Sequence, residues 1–162
     1  MVHLCLDFEG VLIPEIWQCL AKEVNSDELM LTTQDLKDYD ELMSLRMKVV
    51  NEKNIKLSDI QEIVKNIDPF DGAQEFLEWA RSKFQVTIVS DTFYELAWPL
   101  VEKLGYPSII CHNMTVENDK ITGYKLRQPN NKQKVIEALQ SLKFKVFASG
   151  DSYNDINTVS YT

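Results

Sequence analysis

A chain of 162 residues, 44% hydrophobic and 26% charged, suits one domain with a small insertion and has the composition of a folded globular protein. Its net charge of −8 argues against nucleic acid or an anionic membrane surface as a general partner. A phosphorylated substrate stays open, because a metal and one or two local cations reverse the field inside a pocket. The three cysteines, Cys5, Cys19 and Cys111, are widely spaced and contain no C-x-x-C pair, which suits reduced, buried thiols in a cytoplasmic protein. His3 and His112 add no zinc-ligand spacing.

The N-terminal apolar run is too short for a signal peptide and is interrupted at Asp7, and no stretch reaches membrane-spanning length. Residues 2–6, VHLCL, read as a buried strand of a parallel sheet. A turn containing Gly10 follows, and Pro14 suits the first turn of a helix that carries Ile16, Trp17, Leu20, Ala21 and Val24. Residues 26–38 are polar and irregular. A helix is expected over about 39–52, and another from Ser58, where Ser58 and Gln61 have capping-box spacing. Pro69 to Gly72 break the pattern before a helix through Phe76, Leu77 and Ala80.

Residues 84–89, FQVTIV, read as a second buried strand ending at Ser90-Asp91-Thr92, with Thr92 and Glu95 at capping-box spacing for the helix that Gly105 stops. PSIIC, 107–111, reads as a short third strand, residues 113–126 as a hairpin about Asn118-Asp119, and Val135 to Leu142 as a helix. KVFAS, 145–149, is a fourth buried strand running into Gly150-Asp151. Trp17, Trp79 and Trp98 read as packing residues. Alternating strands and helices predict an α/β, doubly wound, mostly parallel sheet. The helical block after the first strand predicts an inserted cap over 13–70, with a core formed by 1–12 and 71–162.

Three apolar strands thus end alike, at Asp7, at Ser90-Asp91 and at Asp151. In open parallel sheets, ligands bind beyond the carboxyl ends of the strands. Carboxylates gathered there repel one another unless a cation lies between them, and oxygen donors favour Mg²⁺. Ser90 to Thr92, opening a helix, suit a phosphate. Lys132, among Lys125, Arg127 and Lys134, is favoured as the anion-facing lysine because it opens a helix. Arg46 is surrounded at helical spacing by Leu42, Met43, Val49 and Val50, so it needs an anionic partner, either Glu15 or Asp40 in the protein or a substrate carboxylate.

DFEGVL at 7–12, VSDTF at 89–93, Lys132 and GDSYND at 150–155 resemble the ordered motifs of haloacid dehalogenase-like phosphatases. LCLDFEGVLIPEIW, DYDELMSLR, IVSDTFYE, GYKLRQ and ASGDSYND look like the bifunctional phosphoserine phosphatase/homoserine phosphotransferase subfamily, over essentially the whole chain. This resemblance implies a haloacid dehalogenase-like Rossmannoid core and a Mg²⁺-dependent hydrolysis of L-phosphoserine in serine biosynthesis, with homoserine as a further phosphate acceptor.

Position by position, Asp7 would be the nucleophile and Glu9 the general acid and base. Ser90, the N–H of Asp91, Lys132 and Asn154 would hold phosphate, and Glu15 and Arg46 the amino-acid end. Asp7, the Glu9 carbonyl and Asp151 would hold the metal, with Asp155 in support. The second acid is Glu9 where the superfamily usually has Asp, a feature the subfamily shares. The family continues beyond GDSYND with further sheet and helix, which predicts that the C-terminal part of the core is missing. Three other readings stay open: a phosphatase for another small phosphomonoester, a non-catalytic metal- or phosphate-binding fragment, and a receiver-type signalling domain, against which Glu9 and the helical insertion argue.

Overall fold

The computed structural model describes residues 1–150. Five strands form one sheet in the order β4-β3-β2-β1-β5, with β1 Val2–Leu6, β2 Gln85–Phe93, β3 Ile109–Glu117, β4 Lys120–Lys125 and β5 Lys145–Ser149. β3, β2, β1 and β5 are parallel; β4 returns antiparallel from a turn at Asn118 and Asp119, both with positive φ. Six helices accompany them: α1 Ile16–Val24, α2 Tyr39–Glu52, α3 Leu57–Lys65, α4 Ala73–Lys83, α5 Tyr94–Lys103 and α6 Asn131–Ser141. A single 3₁₀ turn, Glu28–Met30, lies in the polar stretch between α1 and α2.

The period of two along each strand divides the interior. Leu6 and Ile88 belong to the large cluster that includes Leu77, Leu96 and Leu100, whereas Cys5 and Val89 join Val135, Ile136 and Val146 beside α6. The sheet is therefore covered by helices on both faces, the doubly wound arrangement expected. Phe8, Leu12, Ile13 and Ile16, all fully buried, tie the turn after β1 into the larger cluster. Each such side chain contributes about 1.5–3 kcal/mol through burial.

The structure revises several local expectations. β2 continues through Ser90-Asp91-Thr92 to Phe93, which pairs with His112 after an irregularity in register. Thr92 therefore does not cap α5: its Oγ1 is buried without a hydrogen-bond partner, and Glu95 instead accepts from the Met114 N–H at 2.8 Å. Ser58 is likewise not a cap. α3 starts one residue earlier, the Lys56 N–H donates to Asp59, and the Ser58 N–H donates to Asp119 of the hairpin at 2.9 Å.

PSIIC and the first arm of the hairpin are one strand, because no turn residue separates Cys111 from Asn113. β5 is an edge among the described residues, with Phe147 45% exposed, rather than a buried strand. Trp79 and Trp98 lie about half in solvent, so only Trp17 is a packed tryptophan. Cys5 and Cys111 are buried free thiols, as expected, and Cys19 is partly buried.

Candidate active site

Three of the expected residues converge where β1 and β2 end. Asp7 follows β1 directly and its N–H donates to the Ser149 carbonyl of β5, so the sheet itself sets its position. The carboxylate is buried, with Oδ1 accepting from the Phe8 N–H at 2.7 Å and Oδ2 from Lys132 Nζ at 2.8 Å. Lys132 lies in the first turn of α6, itself buried, 125 residues away in sequence. Ser90, also buried, sits at the end of the regular part of β2, and its Oγ accepts from the Thr92 N–H at 3.3 Å.

A tight turn returns the chain after Asp7. The Phe8 carbonyl accepts from the Leu12 N–H at 2.9 Å, and Gly10 takes a φ of 78° that favours glycine. This turn brings the Glu9 carboxylate to the start of α1, where Oε1 accepts from the Ile16 N–H at 2.8 Å. A carboxylate at a helix N-terminus is stabilised by the exposed N–H groups. Desolvation outweighs that here. Together with the negative charges of Glu15 and Asp7, and against the Ile16 N–H and Arg46, it pushes the Glu9 carboxyl up to about 8. Glu9 therefore holds its proton near neutral pH, the state a general acid needs.

The helical insertion supplies the other wall. Arg46, buried on α2, donates from Nη2 to the Leu31 carbonyl at 3.1 Å and lies over the Trp17 ring at 4.9 Å, while its Nε is buried without a partner. Burial lowers its affinity for the proton, and the charges of Glu9, Tyr39 and Glu15 oppose that. Of its two expected protein partners, Glu15 acts on it through charge, while Asp40 accepts instead from Tyr124. Glu15, just ahead of α1, joins Asp7, Glu9, Arg46, Ser90, Asp91 and Lys132 in lining one cavity of about 380 Å³.

Every expected site residue within the described part thus faces one space; Asp151, Asn154 and Asp155 lie outside the described residues. Among the described residues no three His, Cys, Asp or Glu side chains group as a metal site.

Sequence reasoning missed three neighbours. Trp17, a packing residue by its sequence context, also supports Arg46 and lines the cavity. Tyr39 donates its OH to the Asp91 carbonyl at 2.8 Å, across 52 residues of sequence. His112 reaches the Asp91 carboxylate at 3.3 Å. The side-chain pattern gives no signal for either contact, since each depends on how two distant elements meet.

The model for haloacid dehalogenase-like hydrolases matches residues 8–160. The chain belongs to this family. It is 46% identical over 157 residues to "Phosphoserine phosphatase ThrH" of Pseudomonas aeruginosa, covering 96% of this chain and 77% of that protein. It is also 46% identical over 152 residues to "Phosphoserine phosphatase" of Pseudomonas syringae pv. tomato, covering 93% of this chain and 64% of that one, just under two thirds of its length. Among solved structures, a phosphoserine phosphatase in apo form superposes with a TM-score of 0.75 over 99% of this chain and 82% of the other. At 20% identity that likeness speaks to the fold. The family is one of hydrolases, so the receiver-domain reading is set aside.

Proposed function

We propose that this protein hydrolyses L-phosphoserine through an aspartyl phosphate on Asp7, with Mg²⁺ as cofactor. The observation that carries the reading is the pairing within one cavity of an Asp7 carboxylate oriented by Lys132 and a Glu9 carboxyl that keeps its proton to about pH 8. Nucleophile and acid stand two residues apart in different settings, Asp7 ion-paired with Lys132 and Glu9 desolvated, the division of labour that covalent phosphoryl transfer requires.

In the first step an Asp7 oxygen attacks phosphorus, the bond from phosphorus to the serine oxygen breaks, and Glu9 gives that oxygen its proton. In the second, Glu9 as carboxylate takes a proton from water, whose oxygen attacks phosphorus and returns the Asp7 carboxylate and free phosphate. Ser90, the Asp91 N–H and Lys132 hold the phosphoryl oxygens and offset the charge that builds on them. Arg46 pairs with the substrate carboxylate and Glu15 with its ammonium. Residues 13–70 act as a cap that closes this end of the cavity. Homoserine carries the same two charged groups, so its hydroxyl can replace water as acceptor in the second step; the name of the Pseudomonas aeruginosa relative supports the phosphoserine reading.

The donors present fit Mg²⁺. The Asp7 carboxylate and the Glu9 backbone carbonyl would offer hard oxygen ligands at the strand end, with Asp151 as the expected third. When bound, the ion supplies positive charge to the transferring phosphoryl group. The reaction belongs to a cytoplasmic small-molecule pathway, serine biosynthesis.

The test is phosphate release from L-phosphoserine, with Mg²⁺ and with EDTA, by the wild-type chain and by D7N. Metal-dependent release that D7N lowers at least about a thousandfold, with its thermal transition retained, supports the mechanism. A folded wild-type protein without release points to a different substrate or to a binding role.

A further inference from the structure

Asp91 presents a difficulty that the proposed mechanism leaves unresolved. It follows Ser90 in the segment proposed to hold phosphate, so a second carboxylate lies beside a bound dianion. The backbone there is also poorly secured. Between Val89, paired with Ile110, and Phe93, paired with His112, β2 spends four residue steps against two on β3. Ser90, Asp91 and Thr92 are thus bulged out of the ladder, a device that re-aims side chains at the cost of regular pairing.

Two side chains from outside the bulge hold Asp91. From α2, the Tyr39 OH donates to its carbonyl at 2.8 Å. From β3, His112 meets its carboxylate Oδ1 at 3.3 Å. His112 Nδ1 accepts from the Arg127 N–H at 3.0 Å, so a ring proton sits on Nε2, which donates to Asp91. Asp91 stands on the wall between the catalytic cavity and a second one of about 300 Å³, and His112 lines only the second. The His112 bond therefore draws the carboxylate toward the second cavity and away from the phosphate. His112 is itself locked, fully buried and packed against Phe93 and Tyr39.

We infer that His112 is a positioning residue for phosphate binding: it holds the Asp91 carboxylate turned out of the catalytic cavity, while Tyr39 fixes the same residue's backbone so that its N–H and Ser90 face the anion. This rests on the phosphatase reading above for its substrate, but not for its anion. His112 touches no reacting group and acts only through Asp91.

The experiment pairs H112N with H112Q. The shorter amide reaches the Nδ1 position and can still accept from Arg127, but cannot reach Asp91; the longer one carries an N–H donor to the Nε2 position. Inorganic phosphate is titrated calorimetrically in Mg²⁺ buffer, and phosphoserine turnover is measured on the same samples. H112N is expected to weaken phosphate binding about tenfold and to raise KM by a similar factor with kcat changed less than about twofold, because ground and transition states lose the same interaction. H112Q stays within about twofold of wild type. Adding D91N to H112N removes the exposed charge and restores phosphate binding, giving a coupling between the two sites.

H112N binding phosphate like wild type, D91N failing to restore it, or wild-type protein binding no phosphate each overturns the inference. Wild type that turns over phosphoserine with no His112 effect retains the function and rejects the positioning role. Phosphate binding that depends on His112 without phosphoserine turnover does the reverse. If H112N lacks a cooperative thermal transition, Y39F reads the backbone side of the same clamp, with several-fold weaker phosphate binding expected and unchanged binding counting against it.

Discussion

The two walls of the cavity are built by different means. The floor, Asp7, Ser90 and Lys132, is set by the ends of buried parallel strands and the first turn of α6, and its polar groups are buried and hydrogen-bonded. The roof, Glu15, Arg46 and Tyr39, sits on or just ahead of helices whose apolar faces join the large core cluster, and individual hydrogen bonds add to that packing: Tyr39 to the Asp91 carbonyl, Asp40 to Tyr124, Ser58 to Asp119, Gln61 to the Glu95 carbonyl. Two of these four ties, Asp40 to Tyr124 and Ser58 to Asp119, are exposed, where a hydrogen bond competes with water. Under the proposed function, the contrast places the chemistry on strand ends and substrate choice on helices whose contacts with the sheet include bonds open to water.

Variants on either wall sharpen that contrast. The largest effect in this series belongs to E9Q, which removes the proposed acid and base while keeping the acceptor for the Ile16 N–H. Its kcat should fall about 10²–10⁴-fold, and a KM that rises instead, with kcat intact, would assign Glu9 to the roof.

R46A comes next. Loss of the proposed charge-assisted bond to the substrate carboxylate should raise KM for phosphoserine roughly ten- to hundredfold and leave a phosphate ester lacking the amino-acid end nearly unchanged. Equal changes for both substrates would mean that Arg46 serves the fold, through Leu31 and Trp17, rather than recognition.

Y39F deletes one tie between the walls, a half-buried hydrogen bond contributing about 0.5–1.5 kcal/mol. Its thermal midpoint should drop by a few degrees, with the phosphate-binding loss already described; a normal midpoint together with normal phosphate binding would mean that the roof is held without it.

The smallest effect lies away from both walls. His3 Nε2 meets Thr87 Oγ1 at 2.9 Å between β1 and β2, and burial lowers the ring's pKa below its ordinary value of 6.5. The folded state thus binds its proton less readily than the unfolded chain. Stability at neutral pH is unaffected, falls as pH drops below about 6.5, and stops falling once the lowered value is passed. Urea titrations of wild type and H3Q between pH 7.5 and 5 should show a slightly steeper loss for wild type; identical slopes would place the ring effectively in water.

Much of the floor was legible. β1 and β5 occupy the residues expected of them because short apolar runs between breakers have one plausible conformation in a parallel sheet, and α2 covers 39–52 because Asp38 caps a periodic stripe. Legibility ended where one residue type serves two ends. Thr92 and Glu95 have the spacing of a cap, yet the strand runs on to Phe93 because His112 is available to pair with it, and Glu95 turns to the hairpin instead. Trp79 and Trp98 carry the hydrophobicity of core residues, but their helices bury Leu77, Ala80, Ala97 and Leu100 on the inner face and leave the rings outside.

What the chain determines by itself is the order of acids and lysine along alternating strands and helices, since strand periodicity and turn chemistry are local and each acid sits beside its own turn. The tertiary structure alone decides that Glu9 keeps its proton, because desolvation and the charges of Glu15 and Asp7 arise only when three segments close one cavity. It also decides that Asp91 is turned aside. The hydrogen bond that does so joins β2 to β3 and the one that secures its backbone joins β2 to α2, and neither distance exists before the sheet has formed and the insertion has closed over it.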